Sequence, residues 1–308
     1  MTHDLHGYLN VLKPHGMTSH DVVARLRRLS GQRRIGHTGT LDPAAIGVLP
    51  IALGRATRTT SSSAWDRKLY WADVQFGQAT DTDDATGQVT AERPYESLEL
   101  EAIVAALENF VGDVQQRPPA YSAVHVGGRR AYAGARRGQI EELPVRMVRV
   151  DEIRVVAWRR PVVSLLVQCR SGTYIRSIAR DLGAALECPA HLRALVRLRV
   201  GAFDIRHSLR LETLAETTSG AWDEIFWPAD VAAADLDAMI ASRERAVDFL
   251  HGRSWTQESP ATRLVEQLVR AYDEDGAFLG LAQQMNAGWQ PRLAIPSTSP
   301  TAAGASRQ

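Results

Sequence analysis

Residues 68–77, KLYWADVQFG, alternate strictly between apolar and mixed positions, and this pattern limits the folds open to the chain. Tyr70, Ala72, Val74 and Phe76 share one side of an extended backbone. A period of two indicates a strand with one buried face. Two later runs, LPVRMVRVDEIRVVAW and PVVSLLVQC, are rich in β-branched residues and also predict strands. A chain with three such runs has to build a sheet.

Helical patterns lie between these strands without a regular strand–helix rhythm. One helix is predicted after an N-cap at Ser19, and a second runs from Ser97 to Gly112. A third is predicted in SGTYIRSIARDLG, where one stripe is expected to be buried: Ile175, Ile178, Ala179 and Leu182. The sequence therefore predicts an α+β fold with a mixed or antiparallel central sheet flanked by helices.

The composition changes after about residue 211, where the chain becomes acidic and rich in alanine. A short strand-like piece, DGAFLGLAQQ, follows near the end. We predict a catalytic domain over residues 1–230, a small β-rich module over 231–296 and a disordered tail over 297–308.

Several protein classes are disfavoured by simple counts. No apolar run approaches the roughly 18 residues of a membrane helix, and the first ten residues do not resemble a signal peptide. Two cysteines, Cys169 and Cys188, lack the spacing of a zinc site or a disulfide framework. We expect a cytoplasmic monomer without a metal or other cofactor and without membrane association.

Charge is strongly segregated along the chain. Residues 1–70 carry ten basic and four acidic side chains, and residues 121–210 carry 17 and 7, whereas the segments 71–120 and 211–308 are acidic. The two basic blocks could form one face for a polyanion. Alternatively, the arginines are ordinary solvated side chains.

The stretch RRIGHTGTLDPAAIGVLPIALGRATR, residues 33–58, places a single carboxylate, Asp42, among glycines and apolar residues. Its glycines predict a loop with little regular structure. Asp42 itself has three interpretations: a turn residue before Pro43, a helix N-cap, or a catalytic carboxylate in a poorly solvated place.

Three other segments stand in order around this one: KPHGMTS, RPPAYSAVHVGGRRAYAGARRG and CRSGTYIRSIARDLG. Together with GHTGTLDP they resemble the signature segments of the TruB-type tRNA pseudouridine synthases. The resemblance covers about residues 8–205. Such enzymes isomerise a T-loop uridine of tRNA, at position 55 in tRNA numbering, after flipping the base out, and need no redox cofactor.

The resemblance assigns roles to individual residues. It implies that Asp42 is the catalytic aspartate, that Tyr70 stacks on the flipped base, and that Arg176 pairs with the aspartate and holds it ionised and oriented. It implies that His37 fills space in the T-loop. The remaining expected substrate contacts are Lys13, Gly36, Gly39, Arg58, Tyr174, Arg129 and Arg130. The C-terminal module is expected to be PUA-like and to bind RNA.

Three positions depart from the family pattern. Arg58 stands where a lysine is common, His125 stands where a lysine is frequent, and Ile46 replaces a hydroxyl residue. We expect activity to survive, because none of the three replaces the aspartate, the tyrosine or the arginine.

Two other functions compete with this hypothesis. The first is a non-catalytic protein that binds and remodels tRNA on the same scaffold, which would not need Asp42, Tyr70 and Arg176 together. The second is an aspartate-dependent hydrolase, which would need a second carboxylate or a metal site near Asp42.

Overall fold

The alternating run at 68–77 lies at the centre of a sheet in the computed structural model of the chain. The structure describes residues 5–61, 63–121, 125–126, 129–130, 143–216, 222–256, 267–285 and 288–295. The predicted tail, 297–308, lies outside the described residues, as does most of the segment 122–142.

The strands are numbered in chain order. They are β1 Gly7–Lys13, β2 Ile35–His37, β3 Ile46–Leu53, β4 Lys68–Phe76, β5 Gln78–Thr80, β6 Val89–Glu92, β7 Gly112–Gln116, β8 His125–Val126, β9 Arg129–Arg130, β10 Arg146–Arg159, β11 Val162–Cys169, β12 Ala190–Val200, β13 Phe203–Asp204, β14 Ala238–Ile240, β15 Trp255–Thr256, β16 Leu268–Tyr272, β17 Phe278–Met285 and β18 Gly288–Ala294. The helices are α1 Ser19–Ser30, α2 Leu100–Leu107, α3 Ile175–Ala185, α4 Leu211–Glu216, α5 Trp222–Ile225 and α6 Arg243–Leu250.

Within the described residues, nine strands form the central sheet in the order β1-β3-β12-β4-β11-β10-β7, with β2 paired to β3 and β13 to β12. All named pairs are antiparallel except β12 with β3, which is parallel. The predicted buried face of β4 is confirmed, since Tyr70, Ala72, Val74 and Phe76 are all buried. The α+β class with a mixed central sheet is therefore confirmed.

The glycine-rich stretch 33–58 is not the loop that its composition predicts. It contains β2 and β3, and seven of the eight residues of β3 are buried. Gly47 explains why a glycine stands inside a strand. Its φ is +128°, and a Cβ there would lie 2.2 Å from the backbone oxygen of Arg197. Only glycine lets β3 approach β12 this closely.

Two predicted helix starts also need correction. Thr18, not Ser19, caps α1, because its side chain accepts a hydrogen bond from the Asp21 backbone N–H while the Asp21 carboxylate accepts one from Thr18. This reciprocal pair is a capping box. The second helix begins at Leu100 rather than Ser97 and ends at Leu107, and a short 3₁₀ turn precedes β7.

The C-terminal part forms a second sheet, in the order β14-β16-β17-β18-β15, with its own core around Phe249 and Trp255. Phe278, Leu293 and Ile295 of this part pack against a cluster of the first sheet that includes Trp65 and Phe203. The predicted β-rich module is thus present, and it covers apolar surface of the larger part. No helix in the described ranges is long and apolar enough to cross a membrane.

Candidate active site

Asp42 lies in the turn between β2 and β3, where its backbone oxygen accepts a hydrogen bond from the Ala45 N–H at 3.1 Å. The preceding residue, Leu41, is tied to the start of α1. The Ser19 hydroxyl donates to the Leu41 oxygen at 3.1 Å and accepts from its N–H at 2.9 Å. These hydrogen bonds fix the turn to the start of α1, while the Asp42 side chain remains 39% exposed.

Arg176 holds the Asp42 carboxylate in place. Its Nε lies 3.0 Å from Asp42 Oδ2, and its side chain is only 6% exposed. Nη1 lies 3.5 Å from Asp84 Oδ2 and donates to the backbone oxygen of Thr82 at 3.2 Å, and Nη2 donates to the backbone oxygen of Tyr121 at 3.1 Å. A guanidinium engaged on all sides cannot rotate, so it fixes the direction of the carboxylate. Arg176 belongs to α3, and the buried stripe predicted for this helix is confirmed, since Ile175, Ile178, Ala179 and Leu182 are all buried.

Asp84 is a site residue that sequence reasoning missed. It belongs to the acidic turn TDTDDATG, residues 80–87. In the structure, Asp84 faces Arg176, and Asp83 pairs with Arg180 at 2.8 Å. The charges of this turn therefore balance the arginines of α3. The available signal was the match between three acidic residues in this segment and the arginines of α3.

Tyr70 lies on β4 and is 7% exposed. Burial raises the pKa of its phenol to about 12, and the nearby Arg197 opposes the shift. The hydroxyl is therefore protonated at neutral pH, so it is available as a hydrogen-bond donor rather than as a base.

Arg197 is the second residue that the sequence did not single out. It is 1% exposed, and its guanidinium donates to three backbone oxygens: Val48 at 2.8 Å, Thr40 at 3.2 Å and Gly39 at 3.1 Å. A register shift between Arg197 and Arg199 interrupts the pairing of β12 with β4 at this point. Such irregularities often redirect a side chain next to a functional site. The sequence signal that could have found Arg197 was a basic residue at a position of a strand that is expected to be buried.

Asp42, Tyr70, Arg176 and Arg197 line one pocket of about 370 Å³. Its remaining walls come from residues 38–41, from Lys68, from residues 171–175 and from Leu195. Gly39 and Tyr174, two of the expected substrate contacts, are among these residues. The backbone of Tyr174 is fixed by the Gln116 side chain, which accepts from its N–H at 2.7 Å and donates to its oxygen at 3.0 Å. The pocket thus joins segments that are far apart in sequence.

Lys13 does not have the geometry of a substrate contact. It is 0% exposed, and its Nζ donates to the backbone oxygens of Pro14, Met17 and Pro43 at 2.8, 2.7 and 3.3 Å. Burial lowers its pKa to about 8, and the charge of Asp42 opposes the shift. Lys13 ties the KPHGMTS segment to the turn that carries Asp42, and it presents no charge to the surface.

His37 ends β2 and is partly buried, and its Nδ1 has no hydrogen-bond partner among the described residues. Burial, followed by the charges of Arg197 and His20, lowers its pKa. The imidazole is therefore neutral at pH 7. Gly36, its neighbour, is not among the residues that line the pocket.

Arg58 is not among the residues that line the pocket. Arg58 is exposed, and its Nη1 donates to the backbone oxygen of Ala294 at the end of β18. Arg129 and Arg130 form β9, which pairs with β8; their side chains lie outside the described part of the structure. Ile46 begins β3 at its exposed end. Among the described residues, no group of three or more His, Cys, Asp or Glu side chains is arranged to hold a metal ion.

Comparison with known proteins identifies relatives over most of the chain. Residues 27–175 match the model of the N-terminal domain of TruB family pseudouridylate synthases, and residues 176–248 match that of the tRNA pseudouridylate synthase B C-terminal domain. A relative from Microcystis aeruginosa, named tRNA pseudouridine synthase B, is 41% identical over 280 residues, which is 90% of this chain and 93% of the relative. A relative of the same name from Synechococcus sp. is 44% identical, over 89% of this chain and 93% of its own.

Solved structures share the fold. An H/ACA ribonucleoprotein bound to a substrate RNA containing 2′-deoxyuridine superposes with a TM-score of 0.73 at 23% identity, covering 96% of this chain and 86% of the other. A Cbf5-Nop10-Gar1 complex gives a TM-score of 0.71 at 25% identity, over 93% and 80% of the two chains.

Proposed function

Since the chain belongs to the TruB family of pseudouridylate synthases, we propose that it isomerises the uridine at position 55 of the tRNA T-loop, with Asp42 as its catalytic carboxylate. Relatives named tRNA pseudouridine synthase B are about 40% identical over most of the chain. The protein is accordingly an enzyme that converts uridine in tRNA to pseudouridine. The target position and the role of each side chain are our proposal.

The observation that carries the proposal is the pairing of Asp42 with Arg176 beside Tyr70 in one pocket. The reaction replaces the bond between uracil N1 and ribose C1′ by a bond between C5 and C1′. It needs a carboxylate that reaches the sugar or base, and a pocket that keeps the detached base. The carboxylate is accessible and its counter-ion is buried, so RNA can approach Asp42 without disturbing Arg176. Tyr70 offers an aromatic face and a hydroxyl donor to the flipped base.

Recognition of the RNA is proposed to use surfaces around the pocket. Unstacking the target base costs a few kcal/mol, and stacking on an aromatic ring returns about 1–3 kcal/mol per base. His37, neutral and at the rim of the sheet, is proposed to fill the space in the T-loop. The basic blocks 1–70 and 121–210 are proposed to hold the phosphate backbone, with Arg129 and Arg130 among the contacts.

The part from 231 to 296 is proposed to be an RNA-binding module that takes no part in the chemistry. It is acidic overall, so its contacts with RNA must be local ones, for example through Arg253 or Arg292. We further propose that the protein acts as a monomer in the cytoplasm. Gel filtration with light scattering, with and without tRNA, measures the molar mass of the protein and so tests whether it is a monomer.

The decisive experiment is incubation of the protein with unmodified tRNA, followed by mapping of pseudouridine along the RNA. We expect one product at position 55. Asp42→Asn should abolish it while retaining tRNA affinity, because an amide keeps the shape but serves neither as nucleophile nor as base. Asp113→Asn, which changes an exposed carboxylate on β7, is the matched control and should be fully active.

Each outcome has a distinct meaning. Near-normal turnover in a folded Asp42→Asn protein removes Asp42 from the mechanism. Tight tRNA binding by a wild-type protein that makes no pseudouridine favours the competing tRNA-remodelling function. A product at another uridine overturns the proposed target only.

A further inference from the structure

Lys68 lies in the pocket on the same side of β4 as Tyr70, two residues before it. Its Nζ donates to the Ser171 hydroxyl at 2.8 Å on the opposite wall. The corner beside it is left open by Gly39. A Cβ on Gly39 would lie 3.8 Å from Lys68 Nζ and 3.8 Å from Arg197 Nη1. Two cations therefore border one corner that holds no side chain.

The charges of these two cations are not matched by carboxylates. Within the described parts of the chain, no carboxylate oxygen lies within 4.0 Å of the Lys68 ammonium or of the Arg197 guanidinium, whereas Arg176 faces both Asp42 and Asp84. Burial, followed by the charge of Arg197, lowers the pKa of Lys68 to about 8. A cation held in this way gains stability when an anion enters the pocket.

We propose that the Lys68 ammonium is a catalytic group that contacts the uracil and stabilises the negative charge it carries after its bond to ribose breaks. Arg197 is a positioning residue in this arrangement. Its guanidinium nitrogens already donate to backbone oxygens, so its positive charge acts on the uracil only through long-range electrostatic attraction. The inference rests on the proposed function, since it assigns a further role within the same pocket.

The reaction needs a positive charge near the uracil, because the base becomes an anion during the reaction. When the C1′–N1 bond breaks, the electron pair stays on N1 and spreads to O2 and O4, and C1′ is left electron-deficient beside Asp42. When C5 then bonds to C1′, its hydrogen leaves as a proton and N1 recovers one, so the reaction remains an isomerisation. The base is neutral before the first step and anionic after it. A cation at this place therefore stabilises the intermediate more than the bound substrate, which increases the rate rather than the affinity.

The test compares two RNA substrates, a T-arm with uridine and one with 5-fluorouridine at the target position. Fluorine withdraws electrons and stabilises the uracil anion by itself, so less help is needed from Lys68. The readout is the single-turnover loss of the target N-glycoside, measured by nuclease digestion and mass spectrometry. This first step is common to both substrates.

We expect Lys68→Met to slow the uridine substrate by about 10²–10³-fold, the range for removal of one donor to a developing anion. The defect on 5-fluorouridine should be at least about tenfold smaller, and the Kd for RNA should change by less than about threefold. Lys68→Arg keeps the charge and should respond to fluorine as the wild type does. Arg93→Met, which removes a charge whose Nη1 binds the Glu187 oxygen, is the control and should match the wild type on both substrates.

Equal defects on the two substrates, or a defect in Kd alone, would overturn the inference; the latter would assign Lys68 to a backbone phosphate. A merely structural role would also give equal defects. If Lys68→Met does not fold, Lys68→Gln, which retains a donor for Ser171, takes its place. A wild-type protein that makes no pseudouridine counts against the proposed function, whereas an active wild type with a normal Lys68→Met counts against this inference alone.

Discussion

Arg197 lies directly across from Tyr70 on the neighbouring antiparallel strand, and the same guanidinium binds the backbone oxygens of Gly39 and Thr40 just ahead of Asp42. One buried side chain thereby joins the strand that carries the tyrosine to the turn that carries the carboxylate. The tyrosine and the carboxylate that line the pocket are thus held in register by a residue that is itself almost inaccessible.

Replacement of Arg197 should therefore affect stability and catalysis together. Arg197→Met leaves three buried oxygens without their donor, and we expect the free energy of unfolding to fall by about 3 kcal/mol. The single-turnover rate should fall as well, because the turn at Asp42 is released. Urea unfolding and single-turnover assays measure the two effects. Arg199→Met, at an exposed position of the same strand, is the control; an equal loss of stability there would refute a special role for Arg197.

Arg176→Lys tests orientation separately from charge. A lysine has one ammonium and cannot reach Asp42, Asp84 and two backbone oxygens at once. We expect the single-turnover rate to fall by about 10²-fold, since a small misplacement of a catalytic group has this effect. The affinity for tRNA should be retained because Arg176 is buried. Unchanged chemistry would mean that the ion pair does not matter for the reaction.

Lys68→Met should stabilise the folded protein at neutral pH, by about 1 kcal/mol, because it removes a partly buried charge that has no carboxylate partner. The gain should depend on pH. The groups facing Lys68 are Arg197 on β12, Cys169 on β11 and Asp66 before β4.

The folded-state pKa of Lys68, about 8, lies below its ordinary value of 10.5. Below pH 8 the lysine is charged in both states, so the wild type carries the full cost of burial. Between pH 8 and 10.5 the unfolded chain binds more protons, so the stability of the wild type increases and the advantage of the variant shrinks. Thermal unfolding of both proteins from pH 6 to 10 measures the difference. A variant that is less stable at every pH would contradict the expectation.

Salt dependence tests the proposed basic face. The logarithm of the binding constant should fall with the logarithm of salt concentration, with a slope of about −0.7 to −0.9 for each phosphate neutralised. Replacement of Arg129 and Arg130 together by alanine should weaken tRNA binding and flatten the slope. Arg93→Ala, in the acidic segment, should leave it unchanged. Identical slopes for the double variant and the wild type would make Arg129 and Arg130 ordinary solvated residues.

Truncation after residue 230 tests the proposed division of the chain. We expect the shortened protein to retain the single-turnover rate at saturating tRNA and to lose affinity by a modest factor. It should also be less stable, because Phe278, Leu293 and Ile295 no longer cover the cluster around Trp65. Full-length Ile295→Ala separates the two effects, since it should lower stability by about 2–5 kcal/mol and leave affinity alone. Loss of the maximal rate in a folded truncated protein would show that the module builds part of the active site.

The sequence was sufficient where one local pattern decides the structure. The alternation along β4 predicted its buried face, and the stripe on α3 predicted its packing, because burial on one side follows directly from residue spacing. The resemblance to one family implied catalytic roles for Asp42, Tyr70 and Arg176, and the structure brings these three residues into one pocket. The stretch 33–58 was wrongly predicted as a loop, because glycine was counted as a strand breaker where a neighbouring strand requires it.

Only the tertiary structure decided what the buried charges contact. Lys13 was expected to contact the substrate and instead donates to three backbone oxygens. Residue spacing also did not predict that Arg197 and Lys68 line the pocket, or that Asp84 contacts Arg176. The partners of these groups belong to segments distant in the chain, and their register is set by strand pairing across the sheet. Spacing along a sequence reports which side of an element is buried. Spacing does not report which partner a buried charge contacts, because that contact forms only when the whole sheet assembles.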